Sequence, residues 1–355
     1  MSIIIAIIIF GLIVFVHELG HFLLAKKNGI LVEEFAIGMG PAIWSSRKGE
    51  TKYSIRALPL GGYCSMLGED SDNFDDRSFN SKGVYARMSV ILAGAFFNAV
   101  LALVIFMGFS LFDGFRTLEI DTVVEDSFAG SIGLQSGDVI KEINGNRMTN
   151  YNEIFFETMF SQDGSIDLVY EREGEKYEAS GTMQINPETS NYYIGVLTKY
   201  KRGVFASDIE GYEHASFFES VKMGVNNTTY IVESTFLSFK LLFNRTIGME
   251  SMSGPVGIVG TIETTYDESM ESGGVKYAFL NMLNLMAFLS ANLAVFNVLP
   301  LPALDGGRFV FLVYEAITKK RVPPEKEGFV HFVGFALLMS FAVFVTFNDI
   351  VKIIK

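Results

Sequence analysis

The run IIIAIIIFGLIVFV at residues 3–16, followed without interruption by His17-Glu18-Leu19-Gly20-His21, decides the reading of this chain. From Ile3 to Ala25 the stretch is long and apolar enough to cross a membrane as a helix. Residues four apart lie on one face of a helix, so His17 and His21 present two imidazole nitrogens to one metal ion while Glu18 points at the metal's open side. That spacing is the signature of a zinc hydrolase. Ionisable groups inside an apolar span are costly and mark function, so the chemistry is expected within the bilayer. The whole chain has only four histidines, and two of them fall in this motif.

Composition agrees with a membrane protein. Of 355 residues, 49% are hydrophobic and 33 are Phe, and the mean hydropathy is +0.32. Segments long enough to span run from Ile3 to Ala25, Val84 to Phe112, Tyr277 to Leu299 with an apolar continuation to Ile317, and Gly328 to Phe347. The first does not read as a cleavable signal peptide, because no basic residues precede it and it carries the metal motif.

Basic residues orient these spans. Lys26, Lys27, Arg47, Lys48, Lys52, Arg56, Arg77, Lys82 and Arg87 follow the first span or enter the second, and Lys319, Lys320, Arg321 and Lys326 fill the loop between the third and fourth. Both loops are expected on the cytoplasmic side. Between them, Asp113 to Tyr277 carries 26 acidic against 12 basic residues, a net −14, and is expected outside. Such acidity argues against nucleic acid as a partner, because phosphate binding needs a basic surface. The single cysteine, Cys64, forms no internal disulfide and does not report the redox compartment.

A second motif closes the metal site from a distance. Asn297-Val298-Leu299-Pro300-Leu301-Pro302-Ala303-Leu304-Asp305-Gly306-Gly307 ends an apolar span where two prolines must break regular helix. Broken backbone at membrane depth is tolerated only where it is buried in protein or lines a cavity. Asp305 on that segment completes a set of two histidines and one carboxylate, with a fourth position left for water.

Together, His17-Glu18-x-x-His21 and Asn297-x-x-Pro300-x-Pro302-x-Leu304-Asp305-Gly306 resemble the site-2 protease family of intramembrane zinc metalloproteases. Gly94-Ala95-Phe96-Phe97-Asn98 in the second span resembles that family's Gly-x-x-x-Asn element, whose small residue allows close helix packing. The resemblance implies Zn2+ held by His17, His21 and Asp305. Glu18 then takes a proton from a zinc-activated water, whose pKa falls towards about 7, and returns it to the leaving amine. Asn297 would orient the substrate backbone or donate a hydrogen bond. Thr51 to Arg56 alternates in polarity, and Leu58-Pro59-Leu60-Gly61-Gly62-Tyr63-Cys64-Ser65-Met66-Leu67-Gly68-Glu69 follows it, as in the family's membrane-associated β-loop. Such an edge can accept a substrate strand and re-pair the backbone groups freed when a transmembrane helix unwinds.

The acidic segment holds a compact domain. Thr122-Val123-Val124-Glu125-Asp126-Ser127-Phe128-Ala129 leads to Gly133-Leu134-Gln135-Ser136-Gly137-Asp138-Val139-Ile140-Lys141-Glu142-Ile143-Asn144-Gly145, with strand-like alternation on both sides of glycine-bearing turns. Ser165 to Glu171 and Lys176 to Thr182 read as a hairpin joined at Arg172-Glu173-Gly174-Glu175. This resembles a bacterial PDZ domain, with Phe128 in place of the usual proline and no recognisable carboxylate-binding loop. Peptide capture and steric filtering of bulky ectodomains are both roles open to this domain, and the missing loop puts the first in doubt. His214 to Arg245 reads as an amphipathic helix on the outer membrane surface or packed against the core. Ser253-Gly254-Pro255-Val256-Gly257-Ile258 reads as a tight turn before another short segment. His214 and His331 read as interfacial or packed histidines rather than ligands.

The expected fold is an α-helical polytopic membrane protein of about four transmembrane helices, with a membrane-associated β-loop and one inserted extracytoplasmic PDZ-like α+β domain. Residues 1–112 hold the first two spans, the zinc motif and the cytoplasmic β-loop. Residues 113–205 form the PDZ-like domain, 206–276 an amphipathic helical segment, and 277–355 the last two spans with the Asp305 motif. Within the family, one outward-facing PDZ domain implies a protease of the cell membrane that cleaves single-span proteins of the anti-sigma-factor type and clears remnant signal peptides. The sporulation-type branch generally lacks this domain. A non-catalytic zinc-containing scaffold is the alternative, discriminated by whether Glu18 matters to function. A transporter is disfavoured, since the sequence shows no internal repeat of spans.

Overall fold

Every backbone group in an apolar span must be satisfied within the segment, so the long apolar runs fold as helices. The computed structural model describes residues 2–69, 75–161, 163–186, 191–244, 248 and 252–354. Among the described residues four helices are long and apolar enough to cross a membrane: α1 (Ser2–Lys27), α2 (Val84–Phe112), α6 (Pro255–Val298) and α8 (Pro324–Ile354). Between α1 and α2 lie β1 (Val32–Lys48) and β2 (Thr51–Met66). The inserted segment contains β3 (Gly114–Val123), α3 (Phe128–Ser131), β4 (Val139–Ile143), β5 (Asn146–Arg147), α4 (Tyr151–Met159), β6 (Ser165–Arg172), β7 (Glu175–Thr182), β8 (Gln184–Ile185), β9 (Tyr192–Tyr193), β10 (Val196–Arg202) and α5 (Phe217–Phe243). A shorter helix, α7 (Asp305–Thr318), stands between α6 and α8. The chain divides into two compact units, residues 1–102 with 231–355, and residues 103–230.

In the first unit, α1 buries Ala6, Ile9, Ile13, His17, Gly20 and His21. The spacing is one helical stripe, so the two imidazoles continue the packing face rather than pointing to lipid. Helices α1 and α2 meet at bare backbone, for a Cβ on Gly20 would lie 2.5 Å from the Ala93 carbonyl oxygen.

The sequence analysis identified only the second half of the β-loop; the structure adds β1. Glu34 pairs with both Lys52 and Ser65, while Ala42 to Lys48 pairs with Thr51 to Arg56. The two long strands therefore fold over each other into four rows, ordered 42–48, 51–58, 32–39, 62–66. Gly38 makes the bend possible, with φ +86° and room for no side chain against the Leu58 carbonyl oxygen, 2.5 Å from its would-be Cβ. Beneath the sheet, Ala25, Ile30, Val32, Phe35, Cys64, Met66, Val90 and Leu312 form one buried cluster. Burial pushes the Cys64 thiol up, so it stays a neutral packing residue.

Helix α6 is longer than a bilayer needs. Gly274 breaks it with φ +69°, and the part beyond the kink matches the expected span from Tyr277. The helix then stops at Val298, because Pro300 and Pro302 cannot continue it. Two backbone amides at its start, Gly254 N–H and Gly257 N–H, donate to the Asp349 carboxylate of α8 at 3.1 and 2.8 Å. The Ser253–Ile258 stretch is thus an anchored helix start.

In the second unit the strands pair antiparallel in the order β10-β3-β4-β6-β7, with β5 beside β4. Ile120, Phe128, Leu134, Ile140, Ile143, Ile154, Ile166 and Leu168 fill its core. The hairpin falls as expected, with Glu173 and Gly174 both at positive φ between β6 and β7. The strand expected to run on to Ala129 ends at Val123 instead. Ser127 accepts the Gly130 amide and starts a helical turn, which drops Phe128 into the core against Gly181. Helix α5, which starts in this unit and from Ile231 belongs to the first, occupies most of the predicted amphipathic segment, whose last residue, Arg245, lies outside the described residues. Ser216 and Glu219 open it with reciprocal hydrogen bonds of 2.8 and 3.2 Å. His214 is a packed histidine, bound to Gly203 O at 2.9 Å and Asp208 at 2.9 Å.

Candidate metal centre

The two motifs, with Asp305 284 residues beyond His21 in sequence, converge in the first unit. His17 Nε2 and His21 Nε2 stand 3.1 Å apart, and Asp305 Oδ2 lies 3.2 Å from the first and 3.3 Å from the second. His17 and His21 are 9% and 7% exposed. Among the described residues this is the one group of three such side chains whose donor atoms face one another within metal-binding distance.

These atoms fit a zinc ion. A tetrahedral Zn2+ with bonds of about 2.0–2.1 Å separates its ligand atoms by about 3.3 Å, close to all three spacings. Asp305 Oδ2 is buried and has no hydrogen-bond partner of acceptable geometry. A carboxylate oxygen and two imidazole nitrogens gathered this closely need a shared cation between their lone pairs.

The surroundings orient the imidazoles. His21 Nδ1 donates to the Val90 carbonyl at 2.8 Å, which leaves Nε2 unprotonated for a metal. The amide of Asn98 lies 3.4 Å from His17 Nδ1 through its nitrogen, while its Oδ1 is buried without a partner. Ser290 Oγ donates to the backbone carbonyl of Asn98 at 2.9 Å. Gly94, one helical turn earlier, leaves the space that both imidazoles use.

Glu18 stands beside this group, not in it. It faces Gly62, whose would-be Cβ lies 3.4 Å from Glu18 Cγ. Row 62–66 of the β-loop, an outer row of the sheet, therefore runs past Glu18. Asn297 is 7% exposed in the last turn of α6 and lies outside the three converging donors.

Asp305 begins α7, whose turns are tied to their neighbours by charge. Arg308 pairs with Glu69, and Arg87 of α2 pairs with Glu315. These four side chains line a cavity of about 330 Å³ together with His331 and the apolar Phe79, Ile91 and Leu312. Sequence reasoning did not find the Val90 carbonyl, a backbone atom with no residue signal, or the contact that His331 makes.

Two histidines on one helix and a carboxylate that follows a proline-broken loop are the donor set of a metallohydrolase. Comparison with known proteins agrees. The model for peptidase family M50 matches residues 5–341. A protein of Clostridium acetobutylicum is 36% identical over 351 residues, covering 99% of this chain and 97% of the relative. The zinc metalloprotease RasP of Shouchella clausii is 31% identical over 432 residues, with 98% of each chain covered. The regulator of sigma-W protease RasP of Bacillus subtilis is 30% identical over 433 residues, covering 98% of this chain and 97% of that one. Among solved structures, the PDZ domain of an SdrC-like protein from Listeria innocua aligns with 24% of this chain and 93% of its own, at 26% identity and a TM-score of 0.21. The chain belongs to peptidase family M50, the site-2 proteases, and is a zinc-dependent membrane metalloprotease.

Proposed function

We propose that this enzyme cuts single-span membrane proteins within the bilayer, with His17, His21 and Asp305 as the zinc ligands and Glu18 as the proton carrier. The convergence of the three donor atoms at 3.1–3.3 Å carries the reading. A zinc ion there supplies Lewis acidity and makes nearby water easier to deprotonate. Glu18 takes the proton from the attacking water and delivers it to the amide nitrogen as the peptide bond breaks. Asn297 donates to the substrate backbone near the developing oxyanion.

Substrate presentation rests on the β-loop. A peptide bond in a transmembrane helix is shielded by its own hydrogen bonds, so the helix must unwind before attack. The outer row at 62–66 runs past Glu18 and offers unwound substrate a strand to pair with. Lys26 and Lys27 end α1 only about 8 Å along the axis from His21, which favours a site near the cytoplasmic surface of the cell membrane. The PDZ-like domain is then extracytoplasmic, by its acidity, and filters bulky ectodomains. Anti-sigma-factor-type proteins are the substrates we favour, in line with the name of the Bacillus subtilis relative. Remnant signal peptides are the second class.

The test is cleavage of a detergent-solubilised single-span peptide by wild type and Glu18→Gln, with bound zinc measured in both. The variant is expected to hold zinc and lose activity by about 10²–10⁴-fold. Normal turnover by the variant sinks the role of Glu18. Zinc in both without cleavage of any pre-trimmed span favours a zinc-containing scaffold.

A further inference from the structure

We propose that His331 on α8 is a positioning residue for Asp305, holding the backbone of the proline-broken loop so that the carboxylate meets the two imidazoles. The proposal rests on the reading of Asp305 as a zinc ligand and goes beyond it.

Within the loop from Leu299 to Leu304, the Leu301 N–H donates to Leu299 O at 2.7 Å and the Leu304 N–H to Leu301 O at 3.2 Å, which leaves the Ala303 N–H to a partner outside it. Pro300 and Pro302 bring no N–H. Ala303 adopts φ +76°, a left-handed conformation that strains any residue with a Cβ and persists only where neighbours impose it. The bond from the Leu304 N–H to Leu301 O closes a turn across it, and α8 supplies the hold from outside the loop. The Ala303 N–H donates to His331 Nδ1 at 2.9 Å. One turn further along the same face, Gly334 carries no side chain, and a Cβ there would lie 2.3 Å from Pro302 Cβ and 2.8 Å from Pro302 O. Thus α8 seats Pro302 on bare backbone and grips the next residue with an imidazole. Asp305 follows two residues later.

The arrangement is asymmetric. His17 and His21 belong to a regular helix with a buried stripe, so their positions follow from α1 itself. Asp305 sits after an irregular loop, and metal ligands must be placed to within about 0.2 Å. Helix α8 is otherwise the least buried of the four apolar helices, with 11% of its most apolar window buried. A half-buried histidine turned inward from such a helix is spent on the motif loop. The Phe311 ring, 5.8 Å from His331 between centroids, borders it on the α7 side.

The experiment uses the full-length protein in detergent, with His331→Leu and His331→Asn compared to wild type and to Asp305→Asn. Asn offers an acceptor oxygen near the place of Nδ1, whereas Leu offers none. Zinc retention is read by competition with a chelator. Ligand geometry is read from the visible spectrum of the cobalt(II)-substituted protein, and folding from the melting temperature. His331→Leu is expected to weaken zinc retention by about 10-fold and alter the cobalt spectrum. His331→Asn is expected to restore both. A His331→Leu protein with wild-type zinc retention and cobalt spectrum overturns the proposal. So does an Asn variant that melts like wild type yet binds zinc no better than the Leu variant. Zinc retention undiminished in Asp305→Asn overturns the ligand reading itself, a result distinct from either.

Discussion

Gly94 faces the metal-site histidines so closely that a Cβ at this position would lie 2.5 Å from His21 Nε2 and 2.5 Å from His17 Cε1. The glycine is therefore a space kept for imidazole rings, in addition to a point of helix contact. Gly94→Ala is expected to displace a ring and weaken zinc binding by at least about 10-fold. Gly108→Ala on the same helix, where a Cβ meets nothing within 4 Å, is expected to leave zinc and activity unchanged. Bound zinc per protein after chelator challenge checks both, and equal retention by the two variants refutes the distinction.

Asn98 is expected to matter through His17. Its side-chain amide lies 3.4 Å from His17 Nδ1, where an acceptor would fix the tautomer that offers Nε2 to a metal. Asn98→Leu is expected to lower zinc affinity by about 10–100-fold, while Asn98→Asp, which keeps an acceptor, retains zinc. Competition titration of the two variants decides it, and a Leu variant with unchanged affinity rules the role out.

The three residues that converge were legible because each carries its chemistry in its own side chain. His17 and His21 announce themselves by helical spacing, and Asp305 by two prolines that leave helix nowhere to go. What remained hidden belongs to backbone and space. The Val90 carbonyl that orients His21 is common to every residue type, and β1 lacks clean alternation because Gly38 and Gly40 bend it within one strand. His331 read as a packed histidine, which it is; only the fold shows that it packs on the metal loop. In the second unit Ser127 ended a strand that alternation alone would have prolonged, because a serine cap competes with the sheet for the backbone.

Asp349 is 3% exposed, and its carboxylate accepts the amides of Gly254 and Gly257 at the start of α6. Negative charge complements a helix N-terminus, and these contacts supply the cap that Gly254 lacks a side chain to make. Asp349→Ala is expected to cost about 1–2 kcal/mol in stability while zinc stoichiometry stays at the wild-type value. Thermal melting in detergent with parallel zinc analysis checks this. An unchanged melting temperature rejects the anchoring role.

The inserted domain should carry its own acid limit, set by Asp138. This carboxylate is 1% exposed. Burial alone would raise its pKa, but Arg172 Nε and Nη2 donate to it at 2.7 and 2.7 Å and the Gln135 amide at 2.8 Å, and together they hold it below the usual carboxylate range. Arg172 also donates to Gly133 O at 2.9 Å, so the pair joins β6 to the turn before β4. A depressed folded-state pKa means that the unfolded chain takes up the proton first. The stabilisation is then complete above the unfolded value of about 3.9 and is lost as pH falls through the lower folded value. Hydrogen exchange across residues 114–202 of the full chain is expected to hold its protection from pH 7 to about pH 4, after correction for the intrinsic rate, and to lose it below. Asp138→Asn is expected to cost about 2 kcal/mol at pH 7 and to flatten that acid dependence. Protection that falls equally in variant and wild type below pH 4 would assign the acid limit to another group.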